Sequence, residues 1–239
     1  VMEVEVEVGK GDQRSDIYNQ LRMQILNLDI RPGERLSENI LSSQMNASRT
    51  MVRDALSRLV EEGYIVVYPQ RGTEVTLLDS ERIRQAVFSH NVLEQAIIEE
   101  ICRQGLTKSQ LEQLEEVLNY QKFEVNKDNP IDFLIVEQQL HYLLSTFCGH
   151  EYVWEVFRTM DCDLLRLNYL QYTTFNYKTD MSSLTSLEHV QVEGRLLLDN
   201  LKRRDAEAAC LICANHFNSV LWNAGTLRGI YPQFFSGQA

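Results

Sequence analysis

One carboxylate and three imidazoles stand where helical spacing turns side chains inward. Glu137 and His141 are four residues apart, about one helical turn, on the same face as Leu134, Leu140 and Leu144. His90 shares the apolar stripe of Ile83, Val87, Leu93, Ile97 and Ile101, and His216 that of Cys213, Phe217 and Val220. Such groups are costly to bury without partners. Brought together, Glu137, His141 and His216 can hold a divalent cation such as zinc or nickel, with His90 or water completing the site. Protonated, the histidines can instead anchor an anion, and a hydrogen-bonded core cluster is the third reading. Arg166 and Tyr169 are candidates for grasping a carboxylate, with a surface role as the alternative for each.

A second chemistry lies in SRTMVRDALSRLVEEGYI, residues 48–65. Val52, Ala55, Leu56, Leu59 and Val60 form a buried stripe on a helix that Ser48 starts and Gly63 ends. Arg49 and Arg53 fall one turn apart on the opposite face, with Thr50 and Ser57 near them. A helix offering Arg, Thr and Arg from its first turns suits a major groove, because Arg can pair bidentately with guanine and hydroxyls can reach phosphates. Backbone N–H groups at the Ser48 start can meet a phosphate. The turn Pro69-Gln70-Arg71-Gly72 places Arg71 beside Gly72, where a cation and close backbone approach suit a DNA backbone or narrow minor groove.

The elements that must position these groups are legible from their punctuation. Ser15 is expected to cap a first helix that ends at Arg31-Pro32-Gly33, and Ser37 a short second one before the tight Asn46-Ala47 connection. After the third helix the period changes: Tyr64 to Tyr68 and Thr73 to Leu77 read as two strands of a hairpin. Three helices and a hairpin make a winged helix-turn-helix. Beyond Leu77 the strand signals stop. Six helices are expected: from Asp79-Ser80 to about Gln104, Thr107 to about Asn126, Asn129-Pro130 to about Cys148, His150 to about Leu170, Ser186 to Lys202, and Asp205 to about Asn223. The stretch Gln171–Ser183 reads as a loop and the tail through Pro232 as irregular. The expected fold is therefore mainly α. Residues 1–78 form a winged helix-turn-helix DNA-binding domain, and residues 79–239 an all-helical bundle for effector binding and dimerisation. The Val/Glu alternation of the first eight residues reads equally as a strand or a frayed end.

Composition narrows the function. The net charge is −11, and most of the acidity sits in the C-terminal two-thirds, so any footprint on nucleic acid must be local to the N-terminal part. No apolar run is long enough to span a bilayer and the acidic start is no signal peptide, so a cytoplasmic protein is expected. Five cysteines, with Cys210 and Cys213 a lone CxxC on a helix, read as reduced thiols and small core side chains. A metal-dependent enzyme built on Glu137, His141 and His216 is the alternative class, but no phosphate loop, HExxH or nucleophile motif accompanies it.

PGERLSENILSSQMNASRTMVRDALSRLVEEGYIVVYPQRGTEV, residues 32–75, resembles the N-terminal domain of GntR-family bacterial regulators, and the helical remainder resembles the FCD-type effector domain of the FadR subfamily. The resemblance covers about residues 14–224. It implies a homodimeric transcription regulator, such as a repressor, on a palindromic double-stranded DNA operator, with affinity altered by a small effector, typically an organic acid. It implies DNA contacts from Ser48, Arg49, Thr50, Arg53, Arg71 and Gly72. Met51 stands where many members carry Pro or Thr. It further implies a metal held by Glu137 (often Asp in the family), His141 and His216. The remaining family ligand, a His, aligns with Gly194, and His90 stands where members often carry an effector-binding Arg. Loss of that ligand leaves two outcomes open: an altered metal site, or a site without metal in which Gly194 makes room for a larger ligand.

Overall fold

The computed structural model describes residues 13–178 and 183–237, so the Val/Glu stretch lies outside the described residues. The chain divides into two units, residues up to Leu78 with those from Gln233 onward, and Asp79–Pro232. The first contains α1 (Gln13–Leu26), β1 (Arg35–Leu36), α2 (Glu38–Gln44), α3 (Arg49–Glu61), β2 (Ile65–Tyr68) and β3 (Gly72–Val75). Ser48 is extended and its hydroxyl accepts from Met51 N at 3.3 Å, which starts α3 as a cap should. Val52, Ala55, Leu56 and Leu59 then pack inward with Leu21 and Ile25 of α1 among the buried side chains. Val60, expected in the same stripe, falls at its edge and is 39% exposed. Ser15 does not cap α1, since the helix is already running at Gln13.

The three strands form one antiparallel sheet in the order β1-β3-β2, with Val66 opposite Glu74 and Arg35 opposite Glu74 on the other side. β1 was not expected from sequence; at two residues it is too short to show a period. The wing turn needs left-handed backbone at Gln70 (φ 62°) and at Gly72 (φ 101°). The tail also departs from expectation. Leu78 N donates to Phe234 O at 2.8 Å and Ser236 N to Leu78 O at 2.9 Å, and Phe235 is buried, so residues 233–237 return to the first unit.

The second unit is all-helical: α4 (Ser80–Gln104), α5 (Lys108–Lys127), α6 (Pro130–Phe147), α7 (Glu151–Met160), α8 (Cys162–Thr174), α9 (Ser186–Arg203) and α10 (Ala206–Ile230). Side chains cap the helix starts at Asp79, Thr107, Asn129, Thr185 and Asp205, and Thr107 and Thr185 close reciprocal boxes with Gln110 and Glu188. α4 packs against α10, and α5 lies against α6 and α9. Three expectations change. The single helix over 150–170 is two, because the chain turns at Asp161, whose carboxylate points inward to His90. α8 continues through Thr174 into the expected loop, anchored by buried Tyr172. α10 runs to Ile230, with Leu227 buried in its last turn. Among the described residues, no helix is long and apolar enough to cross a membrane.

Candidate functional site

On the first unit, the face of α3 opposite its buried stripe presents Arg49, Thr50 and Arg53, all exposed, with Ser48 at the helix start. Arg71 and Gly72 are exposed at the wing tip, and Arg71 lines a surface concavity with Arg35, Tyr68, Gln70 and Glu74. Two features here escaped the sequence reading. Arg35 of β1, 72% exposed at its side chain, joins the wing through Glu74 at 3.0 Å. Glu38, the first residue of α2, grips the Arg53 guanidinium with both oxygens, at 3.1 and 2.7 Å.

The second unit holds a buried polar cluster reached from five helices, α4, α6, α8, α9 and α10. Glu137, His141 and His216 each offer one ligand atom, and the three lie within 4.8 Å of one another. Each is held from behind. His141 Nδ1 lies 2.7 Å from Glu94 Oε2, His216 Nδ1 lies 3.0 Å from Glu193 Oε2, and the Tyr172 hydroxyl donates to Glu137 Oε2 at 2.5 Å. The opposite atoms, His141 Nε2 and Glu137 Oε1, are thereby left for the centre. His216 Nε2 stands 3.3 Å from Glu137 Oε1, yet that oxygen makes no well-aligned hydrogen bond. Burial opposes charge on His216, but Glu137 and Glu193 outweigh it and raise its pKa to about 10. The Glu137 carboxyl, despite burial, is held low by His216 and His141.

These groups line a cavity with about 30 Å³ of room for water centres, shared with Glu94, Gln121, Gly194, Cys213 and Phe217. Gln121 is buried and its Oε1 has no hydrogen-bond partner. Gly194 lines the cavity, and a Cβ there would come within 2.7 Å of Leu118 Cδ2, a side-chain tip of α5 that must shift to admit anything larger on that side.

His90 lies behind the cavity rather than on it. It is stacked between Phe157 and Phe217, with ring centroids 3.9 and 4.8 Å away. Its Nδ1 meets Glu94 Oε1 at 2.8 Å and its Nε2 meets Asp161 Oδ1 at 2.9 Å, so neither nitrogen is left to complete a metal site. Burial works against its charge, but Asp161 and Glu94 raise its pKa to about 9. Arg166 is fully buried and pairs with Asp163; Tyr169 is half-buried; neither lines the cavity. Asp163 also takes Arg82 Nε at 3.3 Å and the Asp79 N–H at 3.4 Å. A run of charged hydrogen bonds thus leads from His141 through Glu94 and His90 to Asp161, and two residues on Asp163 meets the start of α4. The sequence reading missed Glu94, Asp161 and Glu193. The i,i+4 pair of His90 and Glu94 was the available signal. The five thiols are free, and burial pushes Cys213 strongly upward, which leaves it a core side chain.

Comparison with known proteins agrees with this layout. Residues 13–75 match the family model for bacterial regulatory proteins of the gntR family, and residues 85–219 match that of the FCD domain. The chain is 26% identical over 226 residues to the HTH-type transcriptional repressor RspR of Escherichia coli K12, covering 92% of each. It is 27% identical over 227 residues to an HTH-type transcriptional regulator of Streptomyces ambofaciens, covering 95% of this chain and 91% of that one. In fold it is similar to E. coli McbR/YncC, with TM-score 0.71 at 20% identity over 92% of this chain and 99% of that chain.

Proposed function

The chain belongs to the GntR family of bacterial regulatory proteins, with an FCD domain as its second part, and from that premise we propose how it works. It is a DNA-binding transcriptional regulator and not an enzyme. In our reading two copies bind a palindromic operator in the cytoplasm. α3 of each enters a major groove with Arg49, Thr50 and Arg53, Ser48 meets a phosphate, and Arg71-Gly72 follows the adjacent backbone or minor groove.

The second unit reads an organic acid through a divalent metal, zinc or nickel. One observation carries this: Glu137 Oε1 and His216 Nε2 face each other at 3.3 Å without a well-aligned hydrogen bond. Ligands about 2.0–2.2 Å from one metal ion sit roughly 3–3.5 Å apart, so the pair fits a shared cation better than a direct bond. Glu94 and Glu193 supply the carboxylate-to-histidine support that metal-bound imidazoles require. Three protein ligands leave open positions, where the metal would act as the docking charge for an acid. An acid entering without a cation would meet Glu137 and Glu193 directly, which disfavours purely imidazolium-based binding.

To change DNA affinity, the effector must favour one state of the protein over another. We place that coupling in the line from Glu94 and His90 to Asp161 and Asp163, which ends at Asp79 and Arg82 where α4 begins. The test is elemental analysis of the native protein beside His141→Ala. A stoichiometric divalent metal that the variant lacks supports the reading. No metal after incubation with Zn²⁺ and Ni²⁺ removes it.

A further inference from the structure

Arg53 is offered to DNA with one side already occupied. Glu38 Oε1 accepts from Nε at 3.1 Å and Oε2 from Nη2 at 2.7 Å, a side-on bidentate grip between α2 and α3. Both side chains remain accessible, 65% and 36% exposed, so the pair lies on the surface that α3 presents. An exposed ion pair of this kind adds little to stability. Hydrogen bonding to Arg53, with Arg49 adding to it, holds the Glu38 carboxyl below its ordinary range, so it is ionised in any working buffer. A carboxylate beside two arginines on a face meant for phosphates weakens general attraction to DNA. Its position calls for a compensating role.

We propose that Glu38 is a positioning residue for base reading: it fixes the Arg53 guanidinium so that only its end-on pair of N–H groups can address DNA. A guanidinium carries five N–H donors in a rigid plane. Glu38 takes the Nε–H and one Nη2–H. The remaining outward N–H groups of Nη1 and Nη2 form a parallel pair that matches O6 and N7 of guanine in the major groove. The brace removes rotamers in which Arg53 would lie along a phosphate, so it exchanges affinity for any duplex against preference for one base. The helix start offers a simpler account, since an acid at the first position of α2 favours the helix dipole. That account gives Glu38 no effect on base preference.

The inference rests on α3 being the reading helix. The experiment uses the full chain as wild type, Glu38→Ala, Glu38→Gln, Arg53→Ala and the double variant Glu38→Ala/Arg53→Ala. Wild type first enriches duplexes from a random-sequence pool. Every protein is then titrated with the enriched duplex, its single-base substitutions and a random-sequence duplex, over a salt series. Arg53→Ala should abolish preference at one guanine. Glu38→Ala should reduce that preference about tenfold while tightening binding to the random duplex, and the slope of log affinity against log salt should steepen by roughly one as Arg53 turns to phosphate. Glu38→Gln, whose amide oxygen can still accept from Arg53, should fall between. In the double variant, base preference should match that of Arg53→Ala alone. Unchanged guanine preference in Glu38→Ala overturns the proposal and leaves α3 reading DNA. A further loss at another base in the double variant also overturns it, by showing that Glu38 itself contacts a base. Failure of wild type to enrich any sequence overturns both the brace and the reading helix.

Discussion

At the scale of single residues, the buried site is organised by groups that do not touch its centre. Glu94 divides its two oxygens between His90 and His141, and His90 spends both nitrogens on Glu94 and Asp161. The arrangement needs His90 charged and Glu94 ionised. Burial opposes both charges, but the partners win: His90 rises from 6.5 to about 9, and Glu94 falls from 4.5 to about 2 under His141 and His90. The raised His90 contributes stability that is complete below about pH 6.5 and disappears as pH climbs through about 9. The depressed Glu94 contributes stability that is complete above about pH 4.5 and disappears as pH falls toward about 2. Both are therefore intact between about pH 4.5 and 6.5. The metal-free protein should lose thermal stability on going from about pH 6.5 to 9, and His90→Gln should lose less over the same interval. Equal slopes for the two proteins would show that His90 is not the group being titrated.

At the scale of elements, one contact decides what the cavity can accept. α5 and α9 approach closely where Gly194 faces Leu118 and Gln121, and a Cβ on Gly194 would meet Leu118 Cδ2 at 2.7 Å. Leu118 is fully buried, so it has little room to retreat. Gly194→Ala should therefore destabilise the protein by about 1–2 kcal/mol despite the higher helix propensity of alanine, the cost of overpacking. Chemical denaturation measures it. In a Leu118→Ala background the same change should cost nothing or help, and a cost unchanged there would place the strain elsewhere. Gly194→His, which restores the side chain usual in the family, should not strengthen Zn²⁺ binding while Leu118 stands in its way. This contact also shows where sequence reading stops. Caps such as Asp79, Thr107 and Asp205 are local, and they announced α4, α5 and α10 correctly. The inward faces of Glu137, His141 and His216 followed from helical period alone. Leu118 opposite Gly194, Glu193 behind His216 and the turn at Asp161 are relations between elements distant in the chain, and no local pattern encodes them. Arg166 departs from both expected roles, ligand contact and surface, for a different reason: it is fully buried, and its ion pair with Asp163 is a local i,i+3 relation that helical spacing does display.

At the scale of the whole molecule, two jobs fall to separable parts of the chain. The residues we propose to read DNA are exposed on α3 and the wing of the first unit, and the polar cluster lies entirely within the second. Charge is partitioned likewise, because a net −11 keeps general attraction to DNA weak, and in our reading recognition then falls to a few arginines. Removing them should therefore be severe and selective. A protein carrying Arg49→Ala and Arg53→Ala loses two cationic contacts per copy. At roughly 1–3 kcal/mol for each good bidentate contact, operator affinity should drop by a factor of about 100 or more. Its thermal midpoint should hardly move, since both side chains are exposed and neither belongs to the buried stripe of Val52, Ala55, Leu56 and Leu59. It should also remain a dimer by sedimentation if the helical unit carries the association, as we propose. Retained operator affinity would mean that another surface reads the DNA. Lost affinity together with a shift to monomer would instead place the dimer contact on the first unit, and the two units would then be coupled through assembly rather than through the line that ends at Asp79.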